Sequence, residues 1–397
     1  MVQQDPLLKN TIPRFPITFS RFFTRNLSRM NSSEAISIID KWIPNSTDYY
    51  RSKRNYDIDG VQTTSRLSHL ISSGLISEMD ILLKAYDSGI SPTNNKFIEE
   101  IFWRIYFRGY FETHPDLWGS YKKSLERDKR SANTKSLDIA IDSKTGIDCF
   151  DAWMHQLKEN GFLHNHARMW FASIWIFTLN LPWTLGCDLF MRYLVDTDEA
   201  SNVLSWRWVA GLHTSKKPYI ARPDNIKKYT HKFNPYNQLN ISPKAIIESN
   251  QYSFSPMEFN LNIGSDCSLL MLDNFLEIDP FYLNEAKINN FYVLKLKYRD
   301  DIVNSISKKI DIKPKFLDTS DISTLKGKEL VTNYQKSGYL NDYLQSVLID
   351  IERIANLNYC NRKIDSLSWN YCKGGYFKLK TQIPAIVDEL MNPSLFN

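Results

Sequence analysis

With 397 residues, 43% of them hydrophobic, the chain is long enough for two or three domains that each bury a core, which excludes a wholly disordered protein. Its formal net charge of +5 is local: between Leu204 and Phe233 stand Arg207, Lys216, Lys217, Arg222, Lys227, Lys228 and Lys232 against Asp224 alone, a net +6 that leaves −1 elsewhere. One basic stretch in an otherwise balanced chain points to a site for a polyanion.

The chain begins MVQQDPLLKN, with Asp5 and no apolar segment behind a basic start, so no secretory signal is read and a cytoplasmic location is expected. Residues 1–60 mix short apolar groups with Pro13, Pro16 and Pro44 and are expected to form a helical and looped lead-in. From 61 to 235 helical spacing dominates. Phe150, Trp153, Met154 and Leu157 fall at i, i+3, i+4 and i+7, the stripe of a helix with one buried face. Met169 to Leu181 is apolar on nearly every side and shorter than the ~20 residues that cross a bilayer, so it predicts a central core helix ended before Pro182, not a membrane span. Asp196 and Asp198 precede the next helix, where free N–H groups favour anions.

Around 233–262 the sequence turns to Asn, Ser and Pro and predicts a linker. Beyond it 268–272, 291–298 and 376–380 read as strands and 333–356 as a helix, a small α/β unit. The expected division is 1–60 lead-in, 61–240 helical domain and 241–397 α/β domain. No G-x-G-x-x-G or G-x-x-x-x-G-K-[ST] is present to cradle a nucleotide phosphate. The five cysteines (Cys149, Cys187, Cys267, Cys360, Cys372) are scattered, without metal-ligand spacing, and no metal is expected.

Two stretches concentrate polar chemistry among aromatics: TGIDCFDAWMHQLKENGFLHNHARM at 145–169 and LVDTDEASNVLSWRWVAG at 194–211. A bound flavin needs an acceptor for its ring N–H, neutralisation of the reduced ring and donors for its pyrophosphate. Asp198 suits the first, Arg168 with Asp196 as counter-ion the second, and Asn202 can face the redox-active nitrogen. Together the stretches closely resemble the flavin-binding domain of the photolyase/cryptochrome family, which implies a mainly α fold and FAD as cofactor. In that family the position of Asn202 tunes the redox state of the flavin, and Asn165 also lies on the cofactor. Thr64-Ser65-Arg66-Leu67-Ser68 resembles the family's TSRLS phosphate loop, and Tyr50 with Arg54 resembles the pair that precedes it, about two residues further away than usual.

Glu100-x-x-Trp103-Arg104 resembles the E-x-x-W-R helix, in which Glu and Trp meet the damaged bases and Arg faces the cofactor. Met169, Trp208 and His166 match further lesion-side positions. Two indoles can sandwich an extruded pyrimidine pair while a carboxyl bonds its edges. Members acting on (6-4) photoproducts carry histidines where this chain has Asn165 and Met169, so those residues resemble the cyclobutane-dimer pattern. His166 departs from the arginine many dimer photolyases have there. Trp206 and Trp183 match the first two tryptophans of the family's path of electrons to the flavin, and the third is open between Trp153, Trp170, Trp175 and a tyrosine.

The resemblance covers about 45–232 and implies a light-driven dimer-splitting lyase acting on UV-damaged DNA as a monomer. A cryptochrome-like photoreceptor signalling to a partner through the C-terminal domain is the alternative, and a flavin-bearing relic that merely binds nucleic acid a third. With so few residues before Tyr50, the family's α/β antenna domain is not expected there. The C-terminal region, with WNYCKGGYFKLKTQIPAI, resembles the tail of an antenna-less bacterial branch and reads as a reduced or relocated counterpart.

Overall fold

A computed structural model describes residues 30–213, 217–248, 252–258, 266–272, 287–295 and 300–392. Residues 1–29 of the lead-in, with Pro13 and Pro16, and Lys216 of the basic stretch lie outside them. The fold is mainly α with a small parallel sheet near the C-terminus.

From the N-terminal side the helices are α1 (Ser32–Trp42), α2 (Asp48–Lys53), α3 (Ser68–Ser72), α4 (Glu78–Asp87), α5 (Lys96–Glu112) and α6 (Asp116–Ser131). Then come α7 (Thr134–Ile141), α8 (Asp148–Asn160), α9 (Asn165–Ser173), α10 (Trp183–Tyr193), α11 (Glu199–Val209) and α12 (Pro223–Thr230). Helix α8 buries Phe150, Trp153, Met154 and Leu157 as its spacing requires, and Gly161 ends it in the left-handed conformation at φ 61°. The apolar run after Met169 is not one α-helix. It leaves the α form at Ser173 and makes a π turn over Ile174–Thr178, the kind of irregularity that often lies near functional sites.

Helix α5 is the spine of the bundle. Its N-terminal half puts Phe97, Ile98, Phe102, Ile105 and Tyr106 into one core with Ala35, Ile39, Trp42 and Tyr50. Phe111, near its other end, enters the larger core built by α6 to α12.

The second unit contains β1 (Asp266–Met271), β2 (Lys287–Leu294), α13 (Asp300–Ile310), β3 (Pro314–Leu317), β4 (Glu329–Asn333), α14 (Tyr339–Ile354) and β5 (Asn356–Cys360). All strand pairs are parallel, in the order β3-β2-β1-β4-β5. Alternation along each strand serves two cores: Leu269, Met271, Phe291 and Val293 face α13, while Leu270, Tyr292, Leu294 and Leu330 face α14.

Beyond β5 the chain forms α15 (Lys363–Ser368), α16 (Phe377–Lys380) and α17 (Ile383–Met391). Residues 376–380, expected as a strand, are helical from 377. An F-K-L-K alternation also suits a single helical turn, and burial of Tyr376 and Leu379 against α5 decides the matter. Ile364, Trp369, Leu379, Ile383 and Leu390 join the first core, not the sheet's cores. Tyr376 donates its hydroxyl to the Glu99 carbonyl at 2.8 Å and Tyr106 donates to that of Gly374 at 2.7 Å. A boundary at 240 therefore follows chain order, while packing returns the last thirty residues or so to the helical bundle.

Gly186 on α10 lies against Trp206, and a Cβ there would stand 2.2 Å from the indole. Gly186→Ala should cost about 1–3 kcal/mol by overpacking. Gly119, inside α6 with open space around it, should become more stable as Ala by up to about 1 kcal/mol. Denaturant midpoints moving in opposite directions for the two variants check this.

Candidate functional site

The strongest element of the site is a buried ion pair. Arg168, in the first turns of α9, donates to the Leu163 carbonyl at 2.9 Å and to Asp196 Oδ2, also at 2.9 Å. Ser68 donates its hydroxyl to the same oxygen at 2.6 Å. Burial alone would raise the Asp196 carboxyl, but Arg168 and Ser68 outweigh it and hold it below the usual carboxylate range. Its other oxygen, Oδ1, is buried with no hydrogen-bond partner. A buried carboxylate oxygen left without a donor is costly.

Asp198 caps α11 by accepting from the Ser201 N–H at 2.8 Å. It also takes the Arg108 guanidinium at 2.5 Å, with Arg104 at 3.7 Å. Burial opposes ionisation here too, and the two arginines drive the carboxyl far below its ordinary value. Arg104 donates to Glu78 at 3.0 Å and to Ser72 at 3.3 Å, while Ser72 donates to the Asp196 carbonyl at 3.0 Å. Arg104, Asp196 and Asp198 thus belong to one polar network. Arg108 and Glu112 complete it. These were missed, although the i, i+4 spacing Arg104, Arg108, Glu112 on one face of α5 was a readable signal. Arg362, which reaches Glu78 at 2.6 Å, carried no such signal because 284 residues separate them.

Asn202, on α11, donates its amide to the Cys187 carbonyl at 2.9 Å, so that nitrogen is committed to α10. In the expected phosphate loop Thr64 and Ser65 are half-buried, Leu67 is core and Arg66 takes the left-handed conformation at φ 55°, its guanidinium 5.0 Å from the Phe162 ring. Tyr50 is buried between Trp42 and Phe97, and burial pushes its phenol up. Arg54 pairs with Glu100 at 3.3 Å, and burial raises the Glu100 carboxyl despite that partner.

On the expected lesion side, Asn165 is exposed and its amide approaches Met169 Sδ at 3.8 Å. His166 places Nδ1 2.8 Å from the Asn55 carbonyl and its ring 5.0 Å from Trp170. Burial lowers its pKa, so it is neutral near pH 7 and brings no positive charge to the position. Trp103 does not present two open faces, because Tyr376 stacks on it at 3.9 Å and 16°. Trp208 stacks on Tyr219 at 5.4 Å. Trp206 is 2% exposed and packs edge-on against Phe190 and Trp175, while Trp183 lies under the Arg207 guanidinium.

The basic stretch is only partly available. Arg207 is buried and bound to Glu248 at 2.6 Å, whereas Lys217, Arg222, Lys227, Lys228 and Lys232 are on the surface, the last paired with Asp59. Asp198, Arg104 and Arg108 line a cavity of about 400 Å³ closed on its far side by Tyr334–Asn341 and Arg362. Thr64, Arg66 and His164 line another of about 420 Å³. The expected cofactor residues are thus not gathered round one hollow: Arg104 and Asp198 line the first, Thr64 and Arg66 the second, and Ser68, Arg168, Asp196 and Asn202 line neither. The chemistry of the set suits a flavin at the Asp196 end: the orphaned oxygen needs a donor, and ring N–H and ribityl hydroxyl groups are donors.

Comparison with known proteins defines the class. Residues 97–240 match the family described as the FAD binding domain of DNA photolyase. The deoxyribodipyrimidine photo-lyase of Streptomyces griseus is 30% identical over 193 residues, 48% of this chain and 41% of that protein. The enzyme of the same name from Buchnera aphidicola (strain Bp) is 33% identical over 182 residues, 43% of this chain and 38% of that protein. A bacterial class III photolyase from Agrobacterium tumefaciens is 28% identical, with a TM-score of 0.43 over 50% of this chain and 42% of that one. The chain spans about two-fifths of the length of the curated relatives it matches. Over residues 97–240 the chain is thus similar to the FAD binding domain of DNA photolyase. Among the described residues no helix is long and apolar enough to cross a membrane.

Glu78, Asp196 and Asp198 each have a folded pKa below the ~4 of an unfolded carboxylate, Glu78 at about 2 because Arg362 and Arg104 outweigh its burial. Their contribution to stability is present above the unfolded value and is lost as pH falls through the folded one. Asp57, which burial pushes up to about 6, should raise denaturation midpoints slightly as pH falls from 7, and the three depressed carboxyls should lower them from about pH 4 towards pH 2. A midpoint that keeps rising below about pH 4 contradicts the network.

Proposed function

We propose that the protein is a light-driven flavoenzyme of the DNA photolyase type that binds FAD and splits cyclobutane pyrimidine dimers in UV-damaged DNA. The observation that carries the reading is the buried Arg168–Asp196–Ser68 group with one carboxylate oxygen left for a ligand donor, inside a segment of the photolyase FAD-binding family. Reduced FAD would supply, on absorbing blue light, the single electron that opens the cyclobutane ring and is then recovered, so no net redox change results.

The side chains divide the remaining work. Asp196 holds ring or ribityl donors, and Arg168 beside it favours negative charge on the cofactor. Asp198 is the second acceptor, oriented by its cap bond to α11, and Asn202 stands one turn further along. Tyr50, Arg54, Thr64, Ser65, Arg66 and Ser68 hold the pyrophosphate side, where hydroxyl and N–H donors meet phosphate oxygens. Glu100, whose carboxyl burial raises above its usual range despite Arg54, can bond the edges of extruded bases. Trp103 and Trp208, each already stacked on a tyrosine, offer their remaining faces and edges to the lesion, and Met169 its thioether. With His166 neutral, phosphate contacts fall to the exposed lysines around α12, so binding should weaken steeply with salt.

A cryptochrome-like reading has one observation in its favour: Arg108 bonds both Asp198 and the Ser337 carbonyl of the α/β unit, at 2.5 and 2.9 Å. A change at the flavin would reach that unit through one side chain. Arg108→Gln that leaves dimer repair intact but abolishes light-dependent protease protection near 334–341 would favour it.

Irradiating reduced, FAD-loaded protein with a dimer-containing oligonucleotide should give light-dependent dimer loss, and none under light overturns the enzyme reading. Asp196→Asn should reduce FAD retention by about tenfold or more, since it strips Arg168 of its counter-ion and the ligand of its acceptor. Equilibrium dialysis with free FAD measures this, and unchanged affinity would remove Asp196 from the cofactor site.

A further inference from the structure

Glu112 ends α5 with its carboxyl wholly withdrawn from water. From its own helix it takes the Arg108 guanidinium at 3.1 Å. Further donors come from the loop after β4: the Ser337 N–H at 2.9 Å, the Ser337 hydroxyl at 2.8 Å and the Tyr334 hydroxyl at 3.1 Å. Burial and the facing carboxylate push the Tyr334 phenol up, so its proton stays available for that bond.

Arg108 is shared between carboxylates. Its Nη1 serves Glu112 and the Ser337 carbonyl, while its Nη2 serves Asp198 Oδ2 at 2.5 Å with Glu199 at 3.8 Å. A guanidinium is a planar, rigid fork, so fixing one nitrogen aims the other. The second oxygen of Asp198 is committed to the Ser201 N–H of α11. The orientation and effective charge of Asp198 are therefore set jointly from α11 and, through Arg108, from Glu112. In a dry environment such a chain of charges is weakly screened, and a change at Glu112 is felt at Asp198.

Resting on the flavoenzyme reading above, we propose that Glu112 is a positioning residue for the cofactor. By dividing Arg108 between itself and Asp198, it keeps Asp198 a strong acceptor and holds down the reduction potential of the flavin. The α/β unit takes part, because its Tyr334 and Ser337 donors fix where the Glu112 carboxylate stands. Removing the Glu112 charge leaves Arg108 more fully to Asp198 and makes the surroundings more positive by one charge. That change favours the added negative charge of a reduced ring over the oxidised one.

Reduction potential separates this role from a purely structural one. Cutting a buried charge pair on one side lowers stability in either case, but only a residue acting on the cofactor moves its potential in a set direction. Glu112→Gln keeps the shape, and the Ser337 and Tyr334 hydroxyls can turn from donating to accepting towards the new amide.

The test uses full-length, FAD-loaded protein and a spectroelectrochemical titration of the flavin. Glu112→Gln should raise the midpoint potential by about 30 mV, a tenfold change in the ratio of reduced to oxidised cofactor for a two-electron couple. Glu112→Asp, which restores the charge, should bring the value back towards that of the parent. Made on an Arg108→Gln background, Glu112→Gln should shift the potential less, since the connecting guanidinium is gone. Tyr334→Phe removes one donor, leaves more of the carboxylate's charge directed at Arg108 and should lower the potential. An unchanged or lowered potential in Glu112→Gln beside a lower denaturation midpoint would make the residue structural only, as would an equal shift without Arg108. Should Glu112→Gln fail to fold, a Tyr334→Phe potential that stays at the parent value or rises overturns the proposal. A parent that takes up no flavin sinks the flavoenzyme reading instead, which keeps the two failures distinct.

Discussion

Charge neutralisation around α5 is the constraint on which the two units of this protein depend. Glu78, Glu112 and Asp198 are withdrawn from water, as is Arg108, and a buried charge left unpaired costs several kcal/mol. Arg104 and Arg362 both serve Glu78, and Arg108 serves Asp198 and Glu112 together. The partners are drawn from four parts of the chain: α4, α5, the N-terminus of α11 and the segment after β5. None of these elements can move far without stranding a charge. The network is therefore a positional device more than a source of net stability, because desolvation cancels much of its attraction.

That device explains how an α/β unit late in the sequence sits against the helical core. The loop after β4 places the Ser337 N–H and hydroxyl on Glu112, at 2.9 and 2.8 Å, and its carbonyl under Arg108. Glu199, next to Asp198, accepts from the free N–H of Tyr339 at the start of α14, where the helix dipole favours an anion. Trp118 and Lys122 hold Asp342 one turn further along. The chain then returns to the first core through α15 to α17, so that Trp369 and Cys372 fill the space beside Gly109 that any side chain there would occupy. The same return puts Tyr376 on Trp103.

The acidic pair before α11 shows how a fold divides two similar residues. Asp196 faces Arg168 and Ser68 and leaves Oδ1 without a partner, while Asp198 caps α11 with one oxygen and binds Arg108 with the other. Both are buried, yet only Asp196 retains an unmet acceptor. The D-x-D spacing thus sets one carboxylate on Arg168 and the other on Arg108, which also reaches the Ser337 carbonyl of the second unit.

Much of this was legible in the residues themselves. The stripe Phe150, Trp153, Met154, Leu157 set the buried face of α8, because 3.6-residue periodicity is a local property. The polar order Arg168, Asp196, Asp198, Asn202 supplied the candidate site and, with TSRLS and E-x-x-W-R, the resemblance to the family. The apolar runs opening 268–272 and 291–298 read as strands, and 268–271 and 291–294 are strand, with 296–298 lying outside the described residues. What only the tertiary structure decided was which groups meet across long separations: Arg362 with Glu78, Tyr376 with Trp103, Asp342 with Trp118. It also decided that 377–380 coils instead of extending, since F-K-L-K satisfies either period and burial against α5 selects one. Local pattern specifies the face a segment buries; the partner for that face is chosen by packing and by the need to leave no buried charge alone.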